Sequence, residues 1–339
     1  MSDIYVVGGH VRQNVFRTLE EWQSCDKGRI VRLDVSNGES QSCVEYLSPP
    51  EACANELPAI LFKSAYLDKD TLYACTSTEV LIYKLPDFRC IKYLSLPCFN
   101  DVHHVCPTGK DTLAVAVTGL DMVVEITMDG EVVREWSVLE EDLWARFSRD
   151  LDYRKVPTTK PHHSHPNHVF QVDGELWVTR FKQKDAICLT KPGGRIDVAV
   201  ERPHDGYLFG DSVYFTTVDG HVVVADQKTH KVRQTFDLNE MHPEPPKVLG
   251  WCRGLLPLDE RFVWVGFTRV RPTKFKENLA WIRNGATRHK ASHIALYDLE
   301  RRECVQEIPL EPHGIGVVFS MFPASLSAKF AAEESERGR

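Results

Sequence analysis

Short stretches of alternating apolar and polar residues recur along this chain in groups of four. In one group Asn100–Val105 leads to Thr112–Thr118, then Met122–Thr127, a turn at Asp129-Gly130, and Glu131–Trp136. The next group reads Asn167–Val172, Glu175–Thr179, Ala186–Thr190 and Arg195–Val200, with Gly193-Gly194 as its last hairpin. A third runs from His204 through Val213–Thr217 and His221–Ala225 to Lys231–Phe236, and further copies begin near Leu61 and Trp251. Period-2 alternation, valine and tyrosine enrichment, and Asp-Gly or Gly-Gly turns predict antiparallel hairpins. Four strands per repeat is the count of a β-propeller blade.

Five copies are complete, and the remainder supplies a sixth. Pro312–Val318 reads as a first strand with no successors, while Ile4–Gly8, Arg29–Asp34 and Ser42–Leu47 read as strands two to four. Joining them predicts an all-β, six-bladed propeller whose last blade is closed by both ends of the chain. Closure also removes the open sheet edges that invite aggregation. The expectation is a single domain over 1–323, with 324–339 as a disordered tail.

Two insertions interrupt the rhythm. Residues 137–163 begin with the capping-box pattern Ser137…Glu140, and Leu139, Leu143, Trp144, Phe147 and Leu151 follow at near-helical spacing. An amphipathic helix is therefore expected there, followed by an irregular approach to His162, His163 and His165. Residues 270–292 carry a cluster of lysines and arginines around Trp281. Both insertions fall on the channel-mouth face, where they are expected to form a partial lid.

A net charge of -7 argues against a protein that binds nucleic acid through its phosphates. No apolar run reaches membrane-spanning length, and no signal-peptide pattern opens the chain, so neither a membrane nor secretion is expected. The ten cysteines include no Cys-x-x-Cys pair. They read as small buried hydrophobes in a reducing, cytoplasmic compartment.

The inner strand of a propeller blade lines the central channel, and the chain enters it from one rim. Four of the six expected entries carry histidine at nearly the same step: Asp101-Val102-His103-His104, Pro166-Asn167-His168, Pro203-His204-Asp205 and Pro312-His313-Gly314. The other two offer Lys63-Ser64 and Trp251-Cys252-Arg253. Imidazoles from separate blades converge on one axis, as a zinc, iron or copper ion requires. The candidate metal ligands are accordingly His103, His104, His168, His204 and His313. On a regular strand His103 and His104 cannot both face the axis, and the choice between them stays open. His162, His163 and His165 read as a solvated loop cluster, and His221, His230, His242, His289 and His293 as surface residues.

Second strands end near Arg12, Arg180 and Arg269, and Lys63, Arg253 and the 270–292 insertion add charge to the same rim. This local positive potential within an acidic protein favours a small anionic substrate carrying a carboxylate, phosphate or sulfate. Arg12, Lys63, Arg180, Arg269 and Trp251 are the candidate substrate contacts. His204, Arg253 and Tyr207 are the candidate catalytic residues, with the tyrosine hydroxyl or the imidazole in acid–base work. No nucleophile elbow, zincin helix, P-loop or dinucleotide fingerprint is present.

These blades resemble the broad six-bladed superfamily of NHL-type, SMP-30-like and arylsulfotransferase-like propellers. The segment His168–Val200, with Thr179-Arg180 before a third strand and a Gly-Gly hairpin, is most similar to the arylsulfotransferase-like branch. That resemblance implies an axial histidine nucleophile, with His204 or His168 as its match. The six-bladed peptidyl-hydroxyglycine lyases, which hold zinc on three axial histidines, resemble the set His104, His204 and His313. SMP-30-like lactonases hold calcium on axial carboxylates and asparagines, a pattern met here by Asn100, Asp101, Asn167 and Asp205 alone. Three functions follow as expectations: a metal-dependent enzyme, a metal-free group transferase using His204, and a non-enzymatic binding propeller.

Overall fold

The computed structural model describes residues 3–13, 19–109, 111–242, 248–270 and 290–324. The alternating stretches form 24 strands in six four-stranded antiparallel sheets arranged as a ring. The chain-end blade contains β1 (Asp3–Val11), β2 (Cys25–Asp34) and β3 (Ser40–Tyr46). The next holds β4 (Ser64–Asp68), β5 (Thr71–Cys75), β6 (Val80–Lys84) and β7 (Arg89–Leu94). Then come β8 (Val102–Pro107), β9 (Thr112–Val117), β10 (Met122–Thr127) and β11 (Val132–Ser137). The fourth sheet is β12 (Pro166–Val172), β13 (Glu175–Arg180), β14 (Asp185–Cys188) and β15 (Arg195–Asp197). The fifth is β16 (Pro203–Phe209), β17 (Ser212–Thr217), β18 (His221–Asp226) and β19 (Val232–Asp237). The sixth is β20 (Trp251–Pro257), β21 (Phe262–Thr268), β22 (His293–Asp298) and β23 (Glu303–Pro309), and β24 (Val317–Pro323) returns to pair with β1.

The closure predicted from the sequence is therefore present, with one shift. The closing strand begins at Val317 rather than Pro312, because Glu311–His313 forms a 3-10 turn ended by Gly314 in the left-handed region at φ 75°. The inner strands touch in sequence around the ring, β4 to β8, β12, β16, β20, β24 and back to β4. Their starts share one end of the channel, here the entry mouth, and their ends share the other.

Each of the six interfaces between neighbouring blades has its own apolar cluster. Each sheet thus buries both faces against its neighbours, as a repeat too small for an independent core must. Phe170 and Phe215 meet edge to face across one such interface at 6.2 Å. Truncating either to alanine costs about 3–5 kcal/mol.

The helix expected within 137–163 does not form. Leu143–Ala145 and Tyr153–Lys155 are single 3-10 turns, and the side chains of Asp142 and Asp152 accept hydrogen bonds from Trp144 N and Arg154 N. Aspartate side chains that bond the backbone this way compete with helix formation. Leu143, Trp144, Phe147 and Val156 still use their apolar faces, packing with buried Tyr153 against the cluster between the second and third blades. Most of the basic insertion at 270–292 lies outside the described residues, as does all but Ala324 of the tail.

Candidate functional site

Five inner strands carry a β-bulge at nearly the same step, just after the chain enters from the rim. The register breaks fall between Val102 and His104, Pro166 and His168, His204 and Tyr207, Cys252 and Leu255, and Val318 and Ser320. A bulge adds one residue to a strand and re-aims its neighbours. The extra residues lie at His103, Asn167, Asp205-Gly206, Arg253-Gly254 and Phe319; of these His103, Arg253 and Phe319 line a cavity at the entry mouth, and Asp205 and Gly206 line a deeper one. Asp205 and Gly254 take left-handed backbone at φ 64° and 78°. A Cβ on Gly254 would come within 2.6 Å of Phe319 O, so glycine is needed there.

The bulge also settles the choice between His103 and His104, because both line cavities, at different depths. His103 lies beside His165 and His204 at the entry mouth, with ring centroids 4.7 and 6.3 Å away. His104 stacks on His168 at 3.6 Å, deeper in the channel. Of the histidines expected around one point, His103 therefore lines one cavity and His104 and His168 another.

At the entry mouth a cavity of about 70 Å3 is lined by Lys63, Asp101, His103, Lys160, Arg253 and Phe319, among others. That volume admits an ion with a water or two, or the head of a small anion. Ligand atoms of Asp101, His162 and His165 lie within 4.8 Å of one another. Asp101 divides its carboxylate: Oδ1 accepts from Lys63 and lies 3.9 Å from His103 Nδ1, and Oδ2 is 3.9 Å from His162 Nε2. The Nδ1 atoms of His162 and His165 are 3.0 Å apart, within hydrogen-bond reach of each other.

His162 and His165 belong to the loop that the sequence suggested was solvated. A buried carboxylate organises them instead. Asp121, 2% exposed, accepts hydrogen bonds from the backbone N–H of His163, Ser164 and His165 at 2.6, 2.9 and 2.7 Å, and from Arg146 at 2.9 Å. Asn100 clamps the preceding segment by donating to Tyr153 O and Val156 O, both at 2.8 Å. Lys182 donates to His162 O.

The electrostatics suit cation binding. Burial alone would raise the Asp101 carboxyl, but Lys63, then His103 and His162, hold it well below its ordinary value. Burial, reinforced by Lys63, drops His103 well below the usual histidine range. Burial also lowers His162, His165 and His204. One ionised carboxylate oxygen that faces histidine and several neutral imidazoles form a candidate metal-ligand group.

The deeper cavity, about 290 Å3, is lined by inner-strand residues including Tyr66, His104, His168, Phe170, Asp205 and Tyr207. Burial lowers His104 to about 3 and His168 well below its ordinary value, so this stacked pair is neutral. Val169 N–H lies 3.4 Å from His104 Nδ1. No carboxylate lies within ion-pair distance of either ring among the described residues. Tyr207 lines this cavity, not the mouth where His204 lies, and burial raises its hydroxyl.

Several expected site residues are engaged elsewhere. His313 sits in the 3-10 turn before β24, where its Nδ1 meets Ser40 Oγ at 2.8 Å, so it joins neither cavity. Arg180 is bidentate to fully buried Asp185 at 2.8 and 2.7 Å. Arg12 donates to Gln23 O, Cys25 O and Pro58 O, and Arg269 is bidentate to Glu311. Lys63 and Arg253 do line the entry mouth, with Arg253 over the Phe319 ring at 3.6 Å. Trp251 stacks on Phe181, whose ring also contacts His165 and His204. Asp101, His162 and His165 were the residues sequence reasoning undervalued. Their signal was the pairing of an acidic residue at a strand entry with a histidine-rich loop rich in prolines.

Fold and site together define a six-bladed β-propeller with a histidine–aspartate cluster at one mouth of its channel. The chain is similar over 95% of its length to 98% of a protein of unknown function from Bacteroides caccae, with TM-score 0.60 and 12% identity. It is also similar to a putative 6-phosphogluconolactonase from Bacteroides fragilis, with TM-score 0.52 and 10% identity over 90% of this chain and 82% of that one. At such identities the likeness is one of fold. No family model and no curated protein sequence matches the chain. All ten cysteines are unpaired, and no helix among the described residues is long and apolar enough to cross a membrane.

Proposed function

We propose that the entry mouth is the active site of a metal-dependent enzyme acting on a small anionic molecule. The observation that carries this reading is the convergence of Asp101, His162 and His165 ligand atoms within 4.8 Å. These three residues would hold the ion, with His103 and His204 beside it. A bound divalent ion supplies Lewis acidity or a polarised water. Lys63 and Arg253 attract the anionic head, and the Phe181–Trp251 stack forms an apolar wall next to His165 and His204. The cavity volume of about 70 Å3 limits what enters to a head group, with the rest of the substrate outside. A phosphorylated sugar lactone, the class of compound in the name of the putative Bacteroides fragilis neighbour, carries such a head.

Elemental analysis of protein purified without added metal, followed by zinc, iron(II) and copper titrations, tests the reading. The expected result is an ion at the entry mouth whose binding is lost in Asp101→Asn and His165→Ala and kept in His104→Ala and Cys304→Ser. Protein that purifies without metal and binds none on titration overturns it. An active metal-free protein that is inert as His204→Ala and forms a phospho- or sulfo-histidine adduct replaces it with group transfer through His204.

A further inference from the structure

The outer half of the blade formed by β20–β23 carries a second convergence of ligating side chains, on histidines that the sequence placed at the surface. His242 follows the 3-10 turn Leu238–Met241 that leads out of β19, His293 opens β22, and Cys304 and Glu307 lie on β23. Ligand atoms of His242, Cys304 and Glu307 lie within 4.8 Å of one another. Glu307 Oε1 is the shared point, 3.7 Å from His242 Nδ1 and 3.6 Å from His293 Nε2.

His293 is the independent sign that this is a site rather than a polar surface patch. The residue is 5% exposed, and its ring stacks on Phe267 at 4.9 Å. Its Nδ1 lies 2.8 Å from Ala291 O, and a carbonyl can only accept, so Nδ1 carries the proton. Nε2 of the neutral ring is then a lone pair, buried without a hydrogen-bond partner and close to a carboxylate oxygen. Two acceptors then face each other across a gap that suits a cation. A backbone bond that fixes one ring nitrogen and leaves the other free is the usual arrangement of a metal-binding histidine. His242 is oriented in a similar way by Tyr297, whose hydroxyl lies 2.9 Å from Nε2. At present the chain supplies its own cation, since Lys290 Nζ is 2.5 Å from the same Glu307 oxygen.

We propose that His242, His293, Cys304 and Glu307 bind a thiophilic divalent transition ion such as zinc, in competition with the Lys290 ammonium. Imidazole, thiolate and carboxylate together are zinc chemistry. Tetrahedral bonds of about 2.0–2.3 Å set donors roughly 3.3–3.8 Å apart around a shared ion, so His242, Cys304 and Glu307 close with small side-chain movements, and His293 joins through the gap it shares with Glu307. On binding, the Cys304 thiol releases one proton to solvent, its sulfur pair goes to the metal, and Lys290 leaves as an ammonium. The ion would staple the segment after β19 to β22 and β23. This site is independent of the entry mouth.

Cobalt(II) titration of the full chain, stripped of metal by chelation, distinguishes the two. Only this site has a cysteine ligand, so it alone gives a thiolate-to-cobalt charge-transfer band. The band is expected in the natural chain and in Asp101→Asn, absent in Cys304→Ser, and weakened in His293→Gln. Lys290→Gln removes the competing charge and tightens binding by about tenfold or more. In the unaltered chain, zinc should also shield Cys304 from alkylation, read by mass spectrometry, which keeps the test open if a variant misfolds. Absence of the band, its survival in Cys304→Ser, or Cys304 alkylation unchanged by zinc overturns the proposal.

Discussion

The two cavities of the channel are both lined by buried histidines, yet they differ in what those histidines meet. At the entry mouth, His103, His162 and His165 gather around an ionised carboxylate and the ammonium of Lys63. Deeper in, His104 and His168 stack on each other among Tyr66, Phe170 and Tyr207. Burial lowers both sets, so their protonation is alike. A carboxylate partner, not the number of imidazoles, separates a candidate ion site from a packed polar pair. The larger cavity is the one with less charge to bind anything.

The sharpest way to break this contrast is Asp101→Asn. Metal affinity at the entry mouth should fall by at least about 100-fold, more than the loss of a residue that only orients a ligand gives. His104→Ala should leave it unchanged, with calorimetric titration as the measurement. If both variants bind alike, the contrast is wrong.

Asp205, at the edge of the deeper cavity, tests the electrostatic half of the comparison. Burial raises its carboxyl to about 6, despite hydrogen bonds from Thr216 and Gly254. The native state thus holds this proton more tightly than the unfolded chain does. Stability contributed by Asp205 is present at low pH and is lost as pH rises from the ordinary carboxylate range through about 6. The loss is up to about 3 kcal/mol. Asp205→Asn should flatten that part of the pH–stability curve in denaturant melts between acid and neutral pH. An unchanged slope would show that Asp205 is ionised in the fold.

Asp121 holds the His162–His165 loop without touching an ion. Asp121→Ala should weaken metal binding by about 10–100-fold, as loss of an orienting partner does, while Asp121→Asn retains part of it. A smaller effect comes from Arg269, whose pair with Glu311 is exposed. Arg269→Gln should cost less than about 1 kcal/mol of stability and should not alter anion affinity, measured by competition with inorganic phosphate.

The architecture was legible because a propeller writes its repeat into local alternation and turn residues, which short-range rules read well. The site was less so. A single extra residue at the β8 entry sent His103 and His104 to different cavities, and no periodicity marks where a bulge falls. His313 missed the axis because Gly314 could take a left-handed turn and delay the closing strand to Val317. Arg180 and Arg269 looked free on their strands but met Asp185 and Glu311, the first five residues away and the second across the blade. His162 and His165 looked solvated because the carboxylate that orders them, Asp121, lies more than forty residues earlier in the chain.

The pairing of β1 with β24 has a temporal consequence. During synthesis β1 emerges with its partner roughly 300 residues from being made. Blades built from consecutive strands can assemble as they leave the ribosome, while Ile4, Val6 and Val7 must wait with one edge unsatisfied. Ring closure thus waits until β24 has been made. A nascent chain halted before Val317 should expose that edge to chaperones or to protease.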